Sequence, residues 1–517
     1  MSGTGLGMTR CVALTGLEGA LVDVEAHVSQ GLPHFSIGGL PDAACGQAPE
    51  RVKAASAAAG EAVGNHRIIV NLSPASIPKQ GTIFDLGIAI AVLAARSRIP
   101  QELAREVVHL GELGLDGRIR PVQGVLPAVL AAARAGTRHV VVPEANAAEA
   151  MLVDGVSVHA FPDLAGLLAD YRRAHRRGGH LTDAVGMTAG EPAPTNHVPD
   201  LADVAGQPEA RAALELAAAG GHHLLLSGPP GGGKTMLAER LVTILPPLDR
   251  EAALQVLAVR SLLGLVPADA GLDRTPPFVA PHHSASVPAI IGGGSGTMRP
   301  GAITQAHSGV LFLDEAAEFK PSALQALRQP LESGRIVLAR ARVNVSFPAA
   351  FQLVLAANPC PCGQGYGRGL ACRCSALVRR NYQAKLSGPL IDRVDVQVQV
   401  PPVTRASMSA TVGESSAVVA ARVVTARAAA AARWVEHGWS LNSRVPGSVL
   451  RRAPWRLPSA VTRDLDGALD RGHLSLRGYD RVLRLGWTCA DLSGREVPSR
   501  DDLILAHAMR SLEESAA

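Results

Sequence analysis

The sequence predicts an α/β protein whose central part is built on a parallel sheet. Three short apolar segments in that part each stop at a glycine or a polar residue, and helical segments alternate with them. Such alternation is typical of a parallel sheet built from βαβ units. The first apolar segment, His223–Ser227, precedes Gly228. The second, Val310–Leu313, precedes Asp314, and the third, Phe351–Ala356, precedes Asn358.

Four regions follow one another along the chain. Residues 1–170 alternate strand-like and Ala-rich helical segments, which predicts a mixed α+β domain. Residues 171–197 are polar and rich in Arg, Gly and Pro without an apolar period, so we interpret them as a linker. Residues 198–401 carry the predicted parallel sheet. Residues 402–517 are rich in Ala, Arg and Leu with few strand signals, which predicts a small helical domain.

Composition limits the classes of protein to consider. The chain has 517 residues, enough for two to four domains. Its longest apolar stretch, near Gly87–Ala95, is much shorter than the roughly 20 residues that a membrane-spanning helix needs. The first residues lack the layout of a secretory signal. We therefore expect a soluble, cytoplasmic protein without a membrane partner. The net charge of +5 is compatible with nucleic acid as a partner but not diagnostic of one.

A phosphate-binding loop is the most specific motif in the sequence. The pattern G-x-x-x-x-G-K-[ST] lies between an apolar strand and a predicted helix, which is the context that this motif requires. Glycines let backbone N–H groups point toward phosphate oxygens, and the helix N-terminus adds partial positive charge. We expect Lys234 to reach the β and γ phosphates of ATP and Thr235 to bind Mg²⁺. The loop consists of Gly228, Pro229, Pro230, Gly231, Gly232, Gly233, Lys234 and Thr235.

Each of the two other predicted strands of the parallel sheet is followed by polar residues. Asp314 and Glu315 follow a strand of four apolar residues about 80 residues after the loop. Ligands bind at this edge of open α/β sheets, so we expect Asp314 in the Mg²⁺ shell and Glu315 beside the attacking water. By itself an apolar strand ending in two acids is usually structural. Asn358, at the end of the third strand, is placed to orient water, although Asn-Pro alone would indicate a turn.

The ordered set of motifs resembles one family of ATPases over nearly the whole chain. The motifs are HHLLLSGPPGGGKTMLAERL, APHHSASVPAIIGGG, GAITQAHSGVLFLDEAAEF, ANPCPCG and LSGPLIDRVD. They resemble the YifB/ComM group of magnesium-chelatase-like AAA+ ATPases. The resemblance implies a homo-oligomeric ring, usually a hexamer, that hydrolyses ATP with Mg²⁺. For ComM members it also implies a branch-migration motor, with branched or single-stranded DNA as partner.

The resemblance also implies roles for individual residues. Lys234 and Thr235 match the Walker A motif, Asp314 and Glu315 match Walker B, and Asn358 matches sensor 1. Two arginines are identified only through the family. Arg393 matches the arginine finger that reaches a neighbouring subunit's γ-phosphate, and Arg477 matches the sensor 2 arginine of the helical lid. Both would neutralise charge that develops on the transferring phosphoryl group.

Two insertions resemble elements that face the central pore of the family's rings. The segment Phe278–Gly296 resembles the helix-2 insert, and its part His282–Gly296 is expected at the pore. The segment Arg335–Phe347 resembles the presensor-1 hairpin. Arg340 and Arg342 would then contact phosphates in the channel. The alternative is a hairpin whose arginines are only solvated.

The first domain resembles the Lon protease domain over about 100 residues. Pro78–Asp85 and Gly117–Leu126 align with the segments that carry Lon's catalytic serine and lysine. A Ser–Lys dyad needs a hydroxyl nucleophile and a lysine base. This chain has Ile83 and Leu126 at those positions. We therefore expect a domain that keeps the fold without peptidase activity, with a role in ring assembly or partner contact that fold alone does not settle.

Four of the seven cysteines form a cluster of two C-x-C pairs. A tight cysteine cluster in a cytosolic chain favours a metal over disulfides. Four thiolates within 15 residues could form a tetrahedral Zn²⁺ site, although C-x-C is tighter than the commoner spacing. The alternative is four reduced loop thiols. The cluster consists of Cys360, Cys362, Cys372 and Cys374.

Three functions remain open at this stage. The first is a ring ATPase that moves along branched or single-stranded DNA. The second is a protein remodeller using the same motor. A pore that grips polypeptide usually presents an aromatic residue, and His282–Gly296 has none, which favours DNA. The third is a motor subunit of a metallochelatase. It fits least, because such subunits lack a Lon-like front domain and this chain has no D-x-S-x-S-type module after its lid.

Overall fold

The computed structural model describes residues 5–184, 199–269, 271–294, 298–340, 343–366, 371–386, 390–404 and 413–510. A mixed α/β domain comes first, a domain with a five-stranded parallel sheet follows, and a helical domain comes last. The α/β class predicted from the sequence is confirmed. Within the described ranges, no helix is long and apolar enough to cross a membrane.

The front domain is built on a seven-stranded mixed sheet. Strand β2 alternates buried and more exposed side chains because one of its faces packs on helices; Val22, Val24 and Ala26 are buried. The strands are β1 (Gly5–Thr15), β2 (Glu18–Ser29), β3 (His34–Gly38), β4 (Arg67–Ser73), β5 (Val107–His109), β8 (His139–Pro143) and β9 (Ser157–Phe161), while β6 (Glu112–Leu113) and β7 (Ile119–Arg120) form a separate hairpin. The lateral order is β3-β4-β2-β1-β5-β8-β9. The pairs β1–β2 and β2–β4 are antiparallel, and the other neighbours are parallel.

Seven helices cover this sheet. They are α1 (Ala43–Gly46), α2 (Ala48–Ala58), α3 (Asp85–Ala95), α4 (Gln101–Glu106), α5 (Val125–Arg134), α6 (Ala147–Ala150) and α7 (Leu164–Arg177). Every residue of α3 is buried. The helix lies so close to β1 that a Cβ on Gly5 or Gly7 would collide with its backbone carbonyls. Small residues at the sheet are therefore what allow this helix to form the centre of the core.

Helix α7 corrects the predicted boundary at residue 170. The helix continues to Arg177, and Tyr171 is buried with its hydroxyl 2.7 Å from Nε2 of His109. The following arginines are exposed, because α7 presents only one face to the core. The polarity of these residues predicted a linker from residue 171, but the segment from residue 171 to Arg177 belongs to the helix. Residues 185–198, which include most of the remaining predicted linker, lie outside the described residues.

The central domain is built on a five-stranded parallel sheet. Its strands are β10 (Leu224–Ser227), β11 (Phe278–Val279), β14 (Val310–Leu313), β17 (Gln352–Ala357) and β18 (Val396–Gln399), in the order β11-β14-β17-β10-β18. Two further antiparallel strand pairs belong to this domain, β12 (Gly292–Gly293) with β13 (Arg299–Pro300), and β15 (Arg335–Arg340) with β16 (Val343–Pro348). Its helices are α8 (Pro208–Gly220), α9 (Lys234–Thr243), α10 (Arg250–Leu263), α11 (Val287–Ile291), α12 (Ala302–Gln305), α13 (Pro321–Ala326), α14 (Arg328–Ser333) and α15 (Ala376–Leu386).

Helix α10 connects the central domain to the front domain. Leu257 and Ala258 are part of the front domain's apolar core. The carbonyl of Ser261 accepts a hydrogen bond of 2.9 Å from the backbone N–H of Gly124, just before α5. The front domain is therefore packed directly against the domain with the parallel sheet.

The helical domain packs against the central domain beside β18, the edge strand of the parallel sheet opposite β11. Its helices are α16 (Ser416–Trp434), α17 (Gly447–Leu450), α18 (Ser459–Asp470), α19 (Leu476–Leu492) and α20 (Arg500–Ala508). A buried polar contact joins the two domains, since Asp395 before β18 pairs with both His222 and Arg481. Burial would raise the pKa of Asp395, but Arg481 and His222 hold it well below its ordinary value. The carboxylate therefore stays charged and links α19 to the sheet.

Candidate functional site

The phosphate loop lies at the carboxyl end of β10, in the middle of the parallel sheet. Gly231 and Gly233 have φ angles of 76° and 87°, in the left-handed region that glycine adopts without strain. A Cβ on Gly228 would lie 2.2 Å from the carbonyl oxygen of Val400, so this position also requires glycine. Helix α9 begins directly after Gly233. Loop and helix N-terminus together form a cradle for an anion.

Lys234 is buried at the base of this cradle. Its ammonium donates to the carbonyl oxygens of Gly228 and Pro229, at 2.8 and 2.9 Å, and to Oδ1 of Asn358 at 3.1 Å. Burial lowers the pKa of Lys234, while the neighbouring carboxylates of Asp314 and Glu315 oppose that shift. The structure thus brings together the lysine and the asparagine that the sequence placed 124 residues apart.

Thr235 and Asp314 form an oxygen-lined pair beside the lysine. The threonine hydroxyl donates to Oδ2 of Asp314 at 2.8 Å. Mg²⁺ prefers hard oxygen ligands and usually takes one or two carboxylates together with phosphate oxygens and waters. A hydroxyl and a carboxylate at the mouth of a phosphate cradle fit that preference. The residues predicted to hold Mg²⁺ are therefore in contact with each other.

Glu315 follows Asp314 in a backbone conformation that few residues adopt. Its φ angle is 50°, in the left-handed region, where a non-glycine residue is strained. The side chain is half exposed, and its Oε2 lies 3.2 Å from Nδ1 of His283. Reasoning from the sequence missed His283, because the contact joins two segments that are 32 residues apart in the chain. The signal available was only that His283 follows the edge strand next to β14.

The four cysteines of the predicted cluster lie together. Their sulfur atoms are all within 4.8 Å of one another, and Cys360 Sγ lies 3.3 Å from Cys362 and 3.6 Å from Cys372. A tetrahedral Zn²⁺ site with Zn–S bonds of about 2.3 Å requires sulfur atoms about 3.8 Å apart. The four thiols are not joined as disulfides. The backbone N–H of Gln364 lowers the pKa of Cys362 to about 6, whereas burial raises the pKa of its neighbour Cys360 to about 11. The donor set therefore fits Zn²⁺.

The cysteine cluster is packed against the phosphate loop. It begins two residues after Asn358, and a Cβ on Gly363 would lie 2.5 Å from Cδ of Pro230. On its other side, Gln383 of α15 donates to the carbonyl oxygen of Pro359 at 3.5 Å. The cluster thus lies between the phosphate loop and the helix α15, which precedes Arg393 in the chain.

Arg393 and Arg477 line one cavity of about 300 Å³ between the sheet and the helical domain. Arg393 is paired with Glu332 of α14. Among the described residues that line this cavity, none belongs to the phosphate loop. The structure therefore brings the two predicted arginines together, but not beside Lys234. The cavity is lined by Gly221, His223, Leu331, Glu332, Asp392, Arg393, Asp395, Ser443, Arg444, Arg477, Arg481 and Arg484.

Arg481 is a second residue that reasoning from the sequence missed. Its guanidinium donates to the backbone carbonyl of Arg393 at 3.0 Å and pairs with Asp395. It therefore fixes the turn that carries Arg393. No motif marks it, because one arginine on an Arg-rich helix has no distinctive sequence pattern.

The predicted pore residues are described only in part. The helix-2 insert is described as far as Gly294, where it forms α11 and strand β12, and β12 pairs with β13 just after the insert. The presensor-1 segment forms the predicted pair of strands, β15 and β16. Arg342 and the side chain of Arg340 lie outside the described residues, as do residues 295–297. The phosphate contacts proposed for them stay predictions.

The positions that align with Lon's catalytic dyad are part of the front domain's apolar core. Ile83 is 8% exposed and Leu126 is fully buried. Lys79, the nearest amine in the aligned motif, is also buried and donates to the carbonyl oxygen of Pro74. Hydrocarbon side chains at both positions supply neither a nucleophile nor a base.

Comparisons with known proteins give consistent matches along the chain. Family models match three stretches: residues 200–408 match "Magnesium chelatase, subunit ChlI", residues 24–146 match "Subunit ChlI of Mg-chelatase", and residues 413–510 match "Magnesium chelatase, subunit ChlI C-terminal". The chain is 50% identical over 505 residues to an uncharacterised protein of Mycobacterium tuberculosis, with 98% of each chain covered.

Two further relatives extend these matches. Competence protein ComM of Haemophilus influenzae is 38% identical over 488 residues, 94% of this chain and 93% of its own. Lon protease of Mycolicibacterium smegmatis is 25% identical over 174 residues, 32% of this chain and 22% of its own. The Lon match is partial, and it is consistent with the predicted Lon-like domain.

Proposed function

Because this chain belongs to the ComM/YifB family of magnesium-chelatase-like AAA+ ATPases, we propose that it forms a ring that couples ATP hydrolysis to movement along DNA. The observation that carries the ATPase part is the contact among Lys234, Asn358, Thr235 and Asp314 around the phosphate loop. Residues from β10, α9, β14 and β17 converge there, at the sheet edge where nucleotides bind.

The cradle would bind the phosphates of ATP as follows. Backbone N–H groups of residues 228–235 and the N-terminus of α9 would bind the β and γ phosphates. Lys234 would exchange its hydrogen bonds to carbonyl oxygens for contacts with phosphate oxygens. The negative charge of the phosphates stabilises a buried ammonium better than neutral carbonyls do. Thr235 and Asp314 would hold Mg²⁺, which neutralises phosphate charge when it is bound.

Hydrolysis would use the two polar groups beside this cradle. Glu315 would polarise the attacking water and accept its proton, and Asn358 would orient that water. Both side chains are at the carboxyl ends of neighbouring strands, next to the lysine. This arrangement supports in-line attack at the γ-phosphate without a covalent intermediate.

We propose that Arg393 and Arg477 act on the nucleotide of a neighbouring subunit. They line one arginine-rich cavity that includes no phosphate-loop residue, which supports action in trans for both. Five arginines and three acids line this cavity, so it has an excess of positive charge suited to a bound triphosphate. Glu332 would be displaced from Arg393 when the neighbour's phosphate enters. The sensor 2 role predicted for Arg477 would then operate between subunits.

The choice of DNA as the translocated substrate rests on the two inserts. The part of the helix-2 insert expected at the pore, His282–Gly296, has no Phe, Tyr or Trp with which to grip a polypeptide. We propose that Arg340 and Arg342 of the presensor-1 segment supply phosphate contacts. A direct test is whether DNA raises the rate of ATP turnover. Stimulation by an unfolded protein instead of DNA would favour the remodelling alternative.

We also propose a structural Zn²⁺ bound by the four cysteines. Its thiolates would close the loop between Asn358 and α15, and metal binding would stabilise that loop. Because Gly363 contacts Pro230, a closed loop would also support the phosphate loop.

We predict one Zn²⁺ per chain. Elemental analysis of reduced, chelator-free protein should find about one equivalent, and Cys362→Ser or Cys374→Ser should lower it strongly. Cys45→Ala, a buried thiol outside the cluster, is the control and should retain the metal. Well under half an equivalent in the unaltered protein would rule out the zinc site.

A further inference from the structure

The helical domain contains all of the chain's tryptophans, and their side chains form one cluster. Trp434 is at the centre, with the centroids of the three other rings between 4.5 and 6.4 Å from its own. Trp434 and Trp487 are buried and belong to the apolar core. The two others are only partly buried, so each presents part of its ring at the surface. The four residues are Trp434, Trp439, Trp455 and Trp487.

The ring of Trp439 already accepts a stacked partner. The exposed side chain of His437 lies against it, with ring centroids 5.1 Å apart and an angle of 24° between the planes. Because this imidazole is exposed, it can turn away and leave the indole face to another planar group. Nucleic-acid bases stack on aromatic faces with little regard to sequence. Trp439 is therefore placed to stack on an unpaired base.

Positive charge borders the second partly buried ring. Arg451, Arg452 and Arg456 are exposed and flank Trp455 along the chain. Arg451 is paired with Asp480, at 2.9 Å. Neither of the two other arginines forms an ion pair within the part of the chain that the structure describes. Two guanidiniums beside Trp455 are therefore available to an anionic ligand.

Partly open indole faces next to available guanidiniums suit single-stranded nucleic acid. Aromatic side chains hold the bases of a single strand, and arginines hold its phosphates. The bases of a duplex are stacked on one another, so their faces are closed to an indole. One exposed acid, Glu436, precedes His437, and the two arginines outweigh its charge.

We propose that a tryptophan surface, formed by His437, Trp439, Trp455, Arg452 and Arg456, binds single-stranded nucleic acid. It goes beyond the function proposed above, which places DNA at the two inserts of the central domain. The tryptophan surface belongs to the helical domain and would bind a single strand whether or not the inserts do.

Tryptophan fluorescence tests the proposal, because the chain has no tryptophan outside this cluster. Oligo(deoxythymidine) should quench the emission of the unaltered protein when bases stack on Trp439 and Trp455. In Trp439→Leu, the affinity obtained from the remaining quenching should fall by about 5- to 100-fold, the usual effect of losing one stacked base. The emission of the buried Trp434 without DNA shows whether the variant is folded.

Arg452→Gln and Arg456→Gln test the phosphate contacts. Each change should reduce the steepness with which log affinity falls against log salt by about 0.7, the value for one phosphate of a single strand. Arg118→Gln changes an exposed arginine of the front domain and is the matched control. It should leave both the affinity and the salt dependence unchanged.

The outcomes separate this surface from the proposed function. If a labelled oligonucleotide binds, as measured by its anisotropy, while tryptophan emission stays constant, the tryptophan surface is excluded and DNA binding at the inserts is not. An unchanged affinity in Trp439→Leu would exclude stacking on that ring and contradict the proposal. Equal quenching by poly-glutamate would identify a surface for acidic polypeptide instead. Quenching by DNA that does not raise ATP turnover would support the surface while the proposed motor function fails.

Discussion

Replacing Arg393 by alanine is expected to reduce ATP turnover by about 10³–10⁵ while leaving ATP binding intact, since this is the usual effect of losing an arginine finger. The residue lines a cavity with Arg477 and Arg481, away from the phosphate loop of its own chain. Lys234 and Thr235 remain to bind nucleotide in the variant. Steady-state turnover and binding of a fluorescent ATP analogue, measured on the same preparation, separate the two effects.

A mixing experiment shows whether Arg393 acts between subunits. Arg393→Ala and Lys234→Ala subunits should each be inactive alone, and a mixture should recover part of the activity. Some interfaces in the mixture combine an intact phosphate loop with an intact arginine. Arg500→Ala is the control, because that arginine is exposed, pairs with Asp464 and lies outside the cavity. A protein that stays monomeric and hydrolyses ATP at its full rate would exclude action in trans.

Replacing Glu315 by glutamine is expected to lower turnover by about 10²–10⁴, the usual contribution of a positioned general base. The amide keeps the size of the side chain but accepts protons poorly. Binding of ATP should persist, because Lys234, Thr235 and Asp314 are unchanged. Turnover and nucleotide affinity of the purified variant provide the measurement.

Glu318→Gln is the matched control for that change. This glutamate lies three residues further along, beside Lys385, and has no part in the proposed chemistry. Its replacement should leave the rate close to that of the unaltered protein. If Glu315→Gln turned over ATP normally, the role given to Glu315 would be wrong.

Features encoded in short stretches of sequence could be predicted. The strand, glycine loop and helix around Lys234 depend on local apolar pattern and backbone freedom, and β14 and β17 end where their polar residues indicated. The cysteine spacing likewise brought four sulfurs together. In each case the residues that determine the geometry lie within about a dozen positions of one another.

Contacts between distant segments could not be predicted. His283 meets Glu315 because two parallel strands end side by side. Arg393 and Arg477 line one cavity because α19 is joined to the segment before β18 through the Arg481–Asp395 pair. The predicted end of the first domain, residue 170, falls inside helix α7. The polar, Arg-rich composition after that residue indicated a linker, although Tyr171 and Ala174 are buried on one face of the helix. Nothing in the sequence of α10 indicated that Leu257 packs in the apolar core of the front domain. These outcomes depend on packing partners far along the chain.

The most direct test of the central claim is the rate of ATP turnover with and without single-stranded, duplex and branched DNA. We expect DNA to bind and to raise the rate, with single-stranded or branched forms more effective than duplex. Binding should depend little on sequence and should weaken steeply with salt, because phosphate contacts release counterions. A ring that forms with ATP but neither binds DNA nor responds to it would contradict the claim, and stimulation by an unfolded polypeptide would then identify the motor as a protein remodeller.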